Sequence, residues 1–215
     1  MEFGRKYHNM FPQRSIEEIR RCFATSKDFN EIFEVFQDAL SQRVADIEVY
    51  RKLFWNHSLT PDELQLFGEK LAREFPSLAY EVYMWLASIF GITHAMEDNY
   101  ELALQYYRKA ATVKPVEIDP YLDAADCYEP DLNIPPLHTL INFLKQGIQS
   151  VPTPKALYHR LAHFYDISGN DEMNSFYQRM ANDQRTLPPD ASSLPPAGTP
   201  PPSPPPTGMP PPRIS

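Results

Sequence analysis

His159 and His163 stand one helical turn apart, and Asp166 follows on nearly the same stripe. Two imidazoles and a carboxylate at that spacing share one face of a helix and could hold a zinc ion. The zinc-protease arrangement also needs a glutamate base directly after the first histidine, and Arg160 occupies that place. The three side chains are therefore read as helix-surface residues, with no metal and no cofactor expected. The sequence shows no Gly-rich phosphate loop and no nucleophile elbow, and its carboxylates are scattered over helical faces. Cys22 and Cys127 form no motif. The chain is expected not to be an enzyme.

The elements that would position any site are helical. The chain has 215 residues, with only 7 Gly and with 23 Pro, more than half of which follow Leu187. Without that tail the sequence is rich in Leu, Ala, Phe, Tyr, Glu and Gln, long enough for a packed core. The formal charge of −8 lies almost wholly on this part, because Asp190 and Arg213 are the charged residues of the tail. An acidic chain is a poor non-specific binder of nucleic acid or anionic membrane; apolar or basic partners suit it better. The first residues carry charges but no apolar core, so no signal peptide is expected. The apolar stretch 82–96 is too short and too broken by Ser88, Thr93 and His94 to span a bilayer. Two cysteines do not make a disulfide scaffold, and a cytoplasmic location is expected.

A flexible arm is expected over residues 1–14 and an N-terminal helical region over 15–76. Ser15 with Glu18 is a capping box that opens a short helix. Asp28 can cap a second one. Phe29, Ile32, Phe33, Phe36, Leu40, Val44, Ile47, Tyr50 and Phe54 then recur at three and four residues. This predicts one amphipathic helix of roughly 26 residues, ~39 Å long. It would pack on the rest of the chain or serve as a dimerisation helix. Thr60-Pro61-Asp62-Glu63 starts another helix with stripe Leu64, Phe67, Leu71 and Phe75, and Pro76 stops it. The next, about 78–92, is apolar nearly all round and should be central. A further helix would be capped by Asp98 or Asn99.

Counted from Gly91, Tyr100, Ala103, Tyr107, Ala110 and Pro115 follow at 9, 12, 16, 19 and 24 residues. In type and spacing these residues resemble the tetratricopeptide repeat (TPR) signature, with Ala87 in place of the family's first-helix aromatic. A second unit starts at Asp119-Pro120 with Tyr121, Ala124, Ala125 and Tyr128. Its partner helix, 137–149, places Leu140, Leu144, Gly147 and Pro152 at signature positions if the turn is three residues longer, where Pro130, Pro135 and Pro136 stand. A third unit starts at Thr153-Pro154 and carries Tyr158, Leu161, Ala162, Tyr165 and Gly169. In its second helix Asn174 and Gln178 replace the small and aromatic residues, and Ala181 fits. The resemblance covers about residues 78–182. It implies an all-α fold: a short right-handed α-solenoid of antiparallel, TPR-like helix pairs over 77–183, with the N-terminal helices before it. A disordered proline-rich tail, 187–215, is expected to follow, with polyproline II segments.

The resemblance also implies a function. Such repeats line a concave groove with the first helix of each pair. By position the groove would present Trp85, Ser88 and Ile92, then Asp119, Leu122 and Asp126, then His159, His163 and Asp166. The Lys and Asn residues with which family members clamp acidic peptide C-termini are absent. A non-catalytic adaptor or scaffold that binds an apolar or basic protein segment is the expected function, with no nucleic acid and no membrane as partner. The alternative is a structural subunit that self-associates as a homo-oligomer, without a peptide groove. The tail could dock into a polyproline-reading domain or act as a spacer.

Overall fold

In the computed structural model, residues 13–92 and 97–183 are described. Most of the expected arm (1–14) and the whole of the expected tail (187–215) lie outside the described residues. Among the described residues the regular elements are helices α1 (Ile16–Thr25), α2 (Phe29–Ser41), α3 (Ile47–Phe54), α4 (Pro61–Glu74), α5 (Ala79–Ile92), α6 (Glu97–Val113), α7 (Asp119–Asp126), α8 (Leu137–Ser150), α9 (Lys155–Ile167) and α10 (Asp171–Asn182). A 3-10 turn covers Pro76–Leu78, and one isolated antiparallel bridge joins Glu129 to Ile134.

Local chemistry sets most of the boundaries. The Ser15 hydroxyl accepts from the Glu18 N–H while the Glu18 carboxylate accepts from the Ser15 N–H at 2.7 Å. Thr60 and Glu63 repeat that exchange ahead of α4, where Pro61 takes the first helical position. Each such box satisfies helix N–H groups that have no partner within the helix. Asp28 caps α2 and Asp46 caps α3, each accepting from the N–H two residues on.

The single long helix expected over 28–54 is instead two helices, α2 and α3. The break is a helix stop made without glycine or proline. Arg43 takes a positive φ of 57°. Its N–H donates to Leu40 O and the Val44 N–H donates to Ala39 O, both at 3.0 Å, which satisfies the last carbonyls of α2. The turn then folds α3 back, and the Tyr50 hydroxyl donates to Val44 O at 2.7 Å. Ile32, Phe36, Leu40, Tyr50 and Phe54 are all buried. Of the same stripe, Phe29, Val44 and Ile47 are half-buried and Phe33 is exposed.

Three smaller differences follow the same logic. Helix α6 opens at Glu97, so Asp98 and Asn99 stand inside its first turn rather than before it. Helix α7 ends at Asp126, so Tyr128 leaves the helix and packs edge-on against Phe164, with ring centroids 5.5 Å apart. In α10 the aromatic place falls to Tyr177, one residue before Gln178. Tyr177 is fully buried and stacks on Tyr165 at 5.5 Å, while Gln178 faces solvent.

Helices pack mainly on their sequence neighbours: α5 on α6, α6 on α7, α7 on α8, α8 on α9 and α9 on α10. Helix α5 also meets α3 and α4, which joins the N-terminal helices to the rest. One buried apolar cluster runs from Ile19 to Ala181. Val82, Leu86, Ala87, Ile89 and Phe90 of α5 are buried in it, as expected for a central helix. Among the described residues, no helix is long and apolar enough to cross a membrane.

Candidate functional site

Where α5, α6 and α7 meet, the packing leaves a cleft of about 330 Å³. Helix α5 contributes Ser88 and Gly91, and α6 contributes Tyr100 and Tyr107. The last turn of α7 and the chain beyond it contribute Asp123, Asp126, Cys127, Tyr128 and Glu129. Gly91 is what lets these walls approach: a Cβ there would lie 3.1 Å from Cys127 Sγ and 3.9 Å from Ala103 Cβ.

The floor is a small hydrogen-bonded group. Tyr107, nearly fully buried, shares its hydroxyl with Ser88 and Cys127. Ser88 Oγ donates to Met84 O at 2.9 Å, and Cys127 Sγ donates to Asp123 O at 3.4 Å. Burial raises the pKa of both the Tyr107 hydroxyl and the Cys127 thiol. Asp123 and Asp126 push the thiol further up, against a lowering by its hydrogen bond to Tyr107. Cys127 therefore stays a neutral thiol, the unreactive form.

The rim is acidic. Asp119, Asp123 and Asp126 are spaced by four and three residues, one face of α7. The Arg160 guanidinium of α9 donates to Asp126. Asp123 and Glu129 make no ion pair among the described residues. Burial raises the Asp123 pKa above its ordinary value, and the charges of Asp119 and Asp126 add to the effect.

That shift has a consequence for stability. Below the unfolded-state pKa the Asp123 carboxyl is neutral whether folded or not. Above it the unfolded chain ionises first, so the native state loses stability as pH rises through the higher folded value. Asp123→Asn should therefore stabilise the fold at neutral pH, seen as a higher melting temperature, by under about 1 kcal/mol because the group is only half buried and screened by solvent. The gain should vanish in acid; a gain of equal size at acidic pH would contradict this account.

Of the expected groove residues, Ser88 and Asp126 line this cleft. Trp85 is half-buried on α5 and meets Phe54 of α3 edge-on, centroids 6.1 Å apart. The side chain of Ile92 lies outside the described residues. Asp119 is exposed on the acidic face of α7, and Leu122 is packed against the core. His159 and His163 are exposed on α9, and Asp166 accepts from Asn174 Nδ2 at 3.0 Å. Among the described residues no group of three His, Cys, Asp or Glu side chains is placed to hold a metal ion.

Seven of the nine lining residues are not among the expected groove residues: Gly91, Tyr100, Tyr107, Asp123, Cys127, Tyr128 and Glu129. In the sequence Gly91, Tyr100, Tyr107 and Tyr128 stand out as positions of the repeat resemblance, and Asp123 and Glu129 carry no motif. The available signal was the spacing of Asp123 between Asp119 and Asp126.

No protein-family model matches the chain, and no curated protein does. A solved structure titled "Crystal structure of MamA protein" is similar over 77% of this chain and 91% of that chain, with 17% sequence identity and a TM-score of 0.40.

Proposed function

We propose that this chain is a non-catalytic protein-interaction module of TPR-like helix pairs, a short right-handed solenoid. Its α5–α6–α7 cleft would take a cationic, partly apolar segment of a partner protein. The observation that carries the reading is the composition of the cleft wall. Carboxylates of Asp123 and Glu129, without ion pairs among the described residues, stand beside Tyr100 and Tyr128. Carboxylates attract an ammonium or guanidinium group, and tyrosine faces accept both its charge and its apolar stem.

The chain uses the same chemistry internally. Lys114 Nζ sits 4.3 Å from the Tyr80 ring centroid and 2.9 Å from Glu81 Oε1. The neutral Cys127 thiol supports a binding role over nucleophilic chemistry.

The test is fluorescence anisotropy with a labelled short peptide of alternating leucine and arginine, at low and high salt. Binding should weaken with salt, and Asp123→Lys should reduce it at least about tenfold, as expected when a cation is placed opposite a cation. A leucine–glutamate peptide should not bind. Equal binding of both peptides, or no effect of Asp123→Lys, would overturn the reading.

Self-association is the second reading, favoured by Trp55 and Leu66, which are 48% and 47% exposed on the N-terminal half. Light scattering decides it: a concentration-independent monomer removes it.

A further inference from the structure

We propose that the chain's own C-terminal segment, residues 209–213 (MPPPR), docks in the α5–α6–α7 cleft and competes there with outside ligands. This rests on the reading of the cleft as a site for a cationic, partly apolar segment.

Three observations point to this occupant. The first is chemical fit. Within residues 187–215 the only cation is Arg213, and it directly follows a proline run. A guanidinium pairs with a carboxylate through parallel hydrogen bonds, and Asp123 and Glu129 are carboxylates without an ion pair among the described residues. Proline rings lie against aromatic faces, which Tyr100 and Tyr128 offer. A proline run has its φ angles fixed by covalent geometry, so it loses little conformational freedom on docking.

The second is where the tail begins. The C-terminal half of α10 lies beside the N-terminal half of α9, since the Tyr158 and Tyr177 ring centroids are 6.3 Å apart. Arg160, two residues beyond Tyr158, already reaches Asp126 at the cleft. Tyr158 and Arg160 lie on opposite faces of α9, so the tail begins at the end of α10, one helix away from the cleft, across α9.

The third is reach. Residue 209 follows Asp183 by enough chain to span roughly 28 Å as a relaxed coil and ~80 Å if extended. A tether of that length gives an effective concentration near millimolar, so even a contact of about millimolar intrinsic affinity is substantially populated.

The experiment uses the full chain, labelled with nitrogen-15. Amide spectra of the wild type and Arg213→Glu are compared at several concentrations. The proposal expects Gly91, Tyr107, Cys127 and Glu129 to shift between the two, independently of concentration. It also expects the charge-swapped pair Arg213→Glu with Asp123→Arg to restore part of the wild-type pattern. The leucine–arginine peptide should bind Arg213→Glu about two- to tenfold more tightly than wild type, because the internal competitor is gone.

Identical cleft amides in wild type and Arg213→Glu would overturn docking. Shifts that grow with concentration would overturn docking within one chain. Should Asp123→Arg fail to fold, the single Arg213→Glu comparison still decides. The two readings also separate. If the tail variant changes nothing but the free peptide still shifts the cleft amides, only this inference falls. If neither does, the cleft reading falls with it.

Discussion

Gly147→Leu is expected to destabilise the fold by about 3 kcal/mol or more, at the upper end of overpacking costs. Gly147 is where α8 passes between α7 and α9. A Cβ there would lie 2.8 Å from two carbons of the Tyr121 ring and 2.9 Å from Leu157 Cδ1. Neither neighbour can yield cheaply. Tyr121 is buried, its ring lies 4.8 Å from that of Phe143, and its hydroxyl donates to Pro115 O. Leu157 is fully buried. A leucine therefore forces the three helices apart, and the gain in helix propensity over glycine, about 1 kcal/mol, offsets only part of the cost. Thermal melts followed by circular dichroism should show a midpoint lower by roughly 6–12 °C, at ~2–4 °C per kcal/mol for a chain of this size. An unchanged midpoint would mean that α8 does not cross its neighbours at Gly147.

Asn56→Asp should cost about 2–4 kcal/mol, from one atom exchanged in a buried amide. Asn56 is 9% exposed and ties the end of α1 to the start of the turn before α4. Its Nδ2 donates to Phe23 O and to Ser26 O, both at 2.9 Å, while Oδ1 accepts from the Ser58 N–H and hydroxyl. Phe23 O is one of the terminal helix carbonyls that have no partner inside the helix. In the aspartate an oxygen replaces Nδ2 and faces two carbonyl oxygens, with a buried charge added. The deficit should shrink in acid, because a protonated carboxyl can donate one of the two lost hydrogen bonds. Melts at neutral and acidic pH check both parts; a deficit independent of pH would contradict the geometry.

Nothing in the sequence singles out Asn56, because the carbonyls that it ties, Phe23 O and Ser26 O, lie some thirty residues away. The caps at Ser15, Asp28 and Thr60 were legible for the opposite reason: each is complete within four residues. The break between α2 and α3 sits between these cases. The apolar period runs on through Leu40, Val44, Ile47 and Tyr50, and the residue at the left-handed position is an arginine. The distant neighbours Phe75 and Glu74 hold it: the Arg43 guanidinium lies 5.6 Å from the Phe75 ring centroid and 3.7 Å from Glu74 Oε2. Periodicity reports which face is buried, and Ile32, Phe36, Leu40, Tyr50 and Phe54 of that face stayed buried when the chain turned back.

The site was legible in part, again for physical reasons. Of the positions carried over from the repeat resemblance, Ser88 of α5 and Asp126 of α7 line the cleft. Those positions passed over Asp123 because the intervening α7 position was assigned to Leu122, which packs inward. Tyr107 stands in the sequence as a position of the repeat resemblance, and in the fold its ring is buried while its hydroxyl reaches the cleft floor. A one-role reading of an amphipathic side chain misses that second role.

The central claim is that a cationic, partly apolar segment binds between α5, α6 and α7. Mapping amide shifts on the full-length Arg213→Glu chain while titrating the leucine–arginine peptide tests it most directly. The account predicts saturable shifts centred on Ser88, Gly91, Tyr107, Asp123 and Cys127, diminished by high salt. Shifts centred on Phe33, Trp55 and Leu66 of the N-terminal half, or none at saturating peptide, would contradict it.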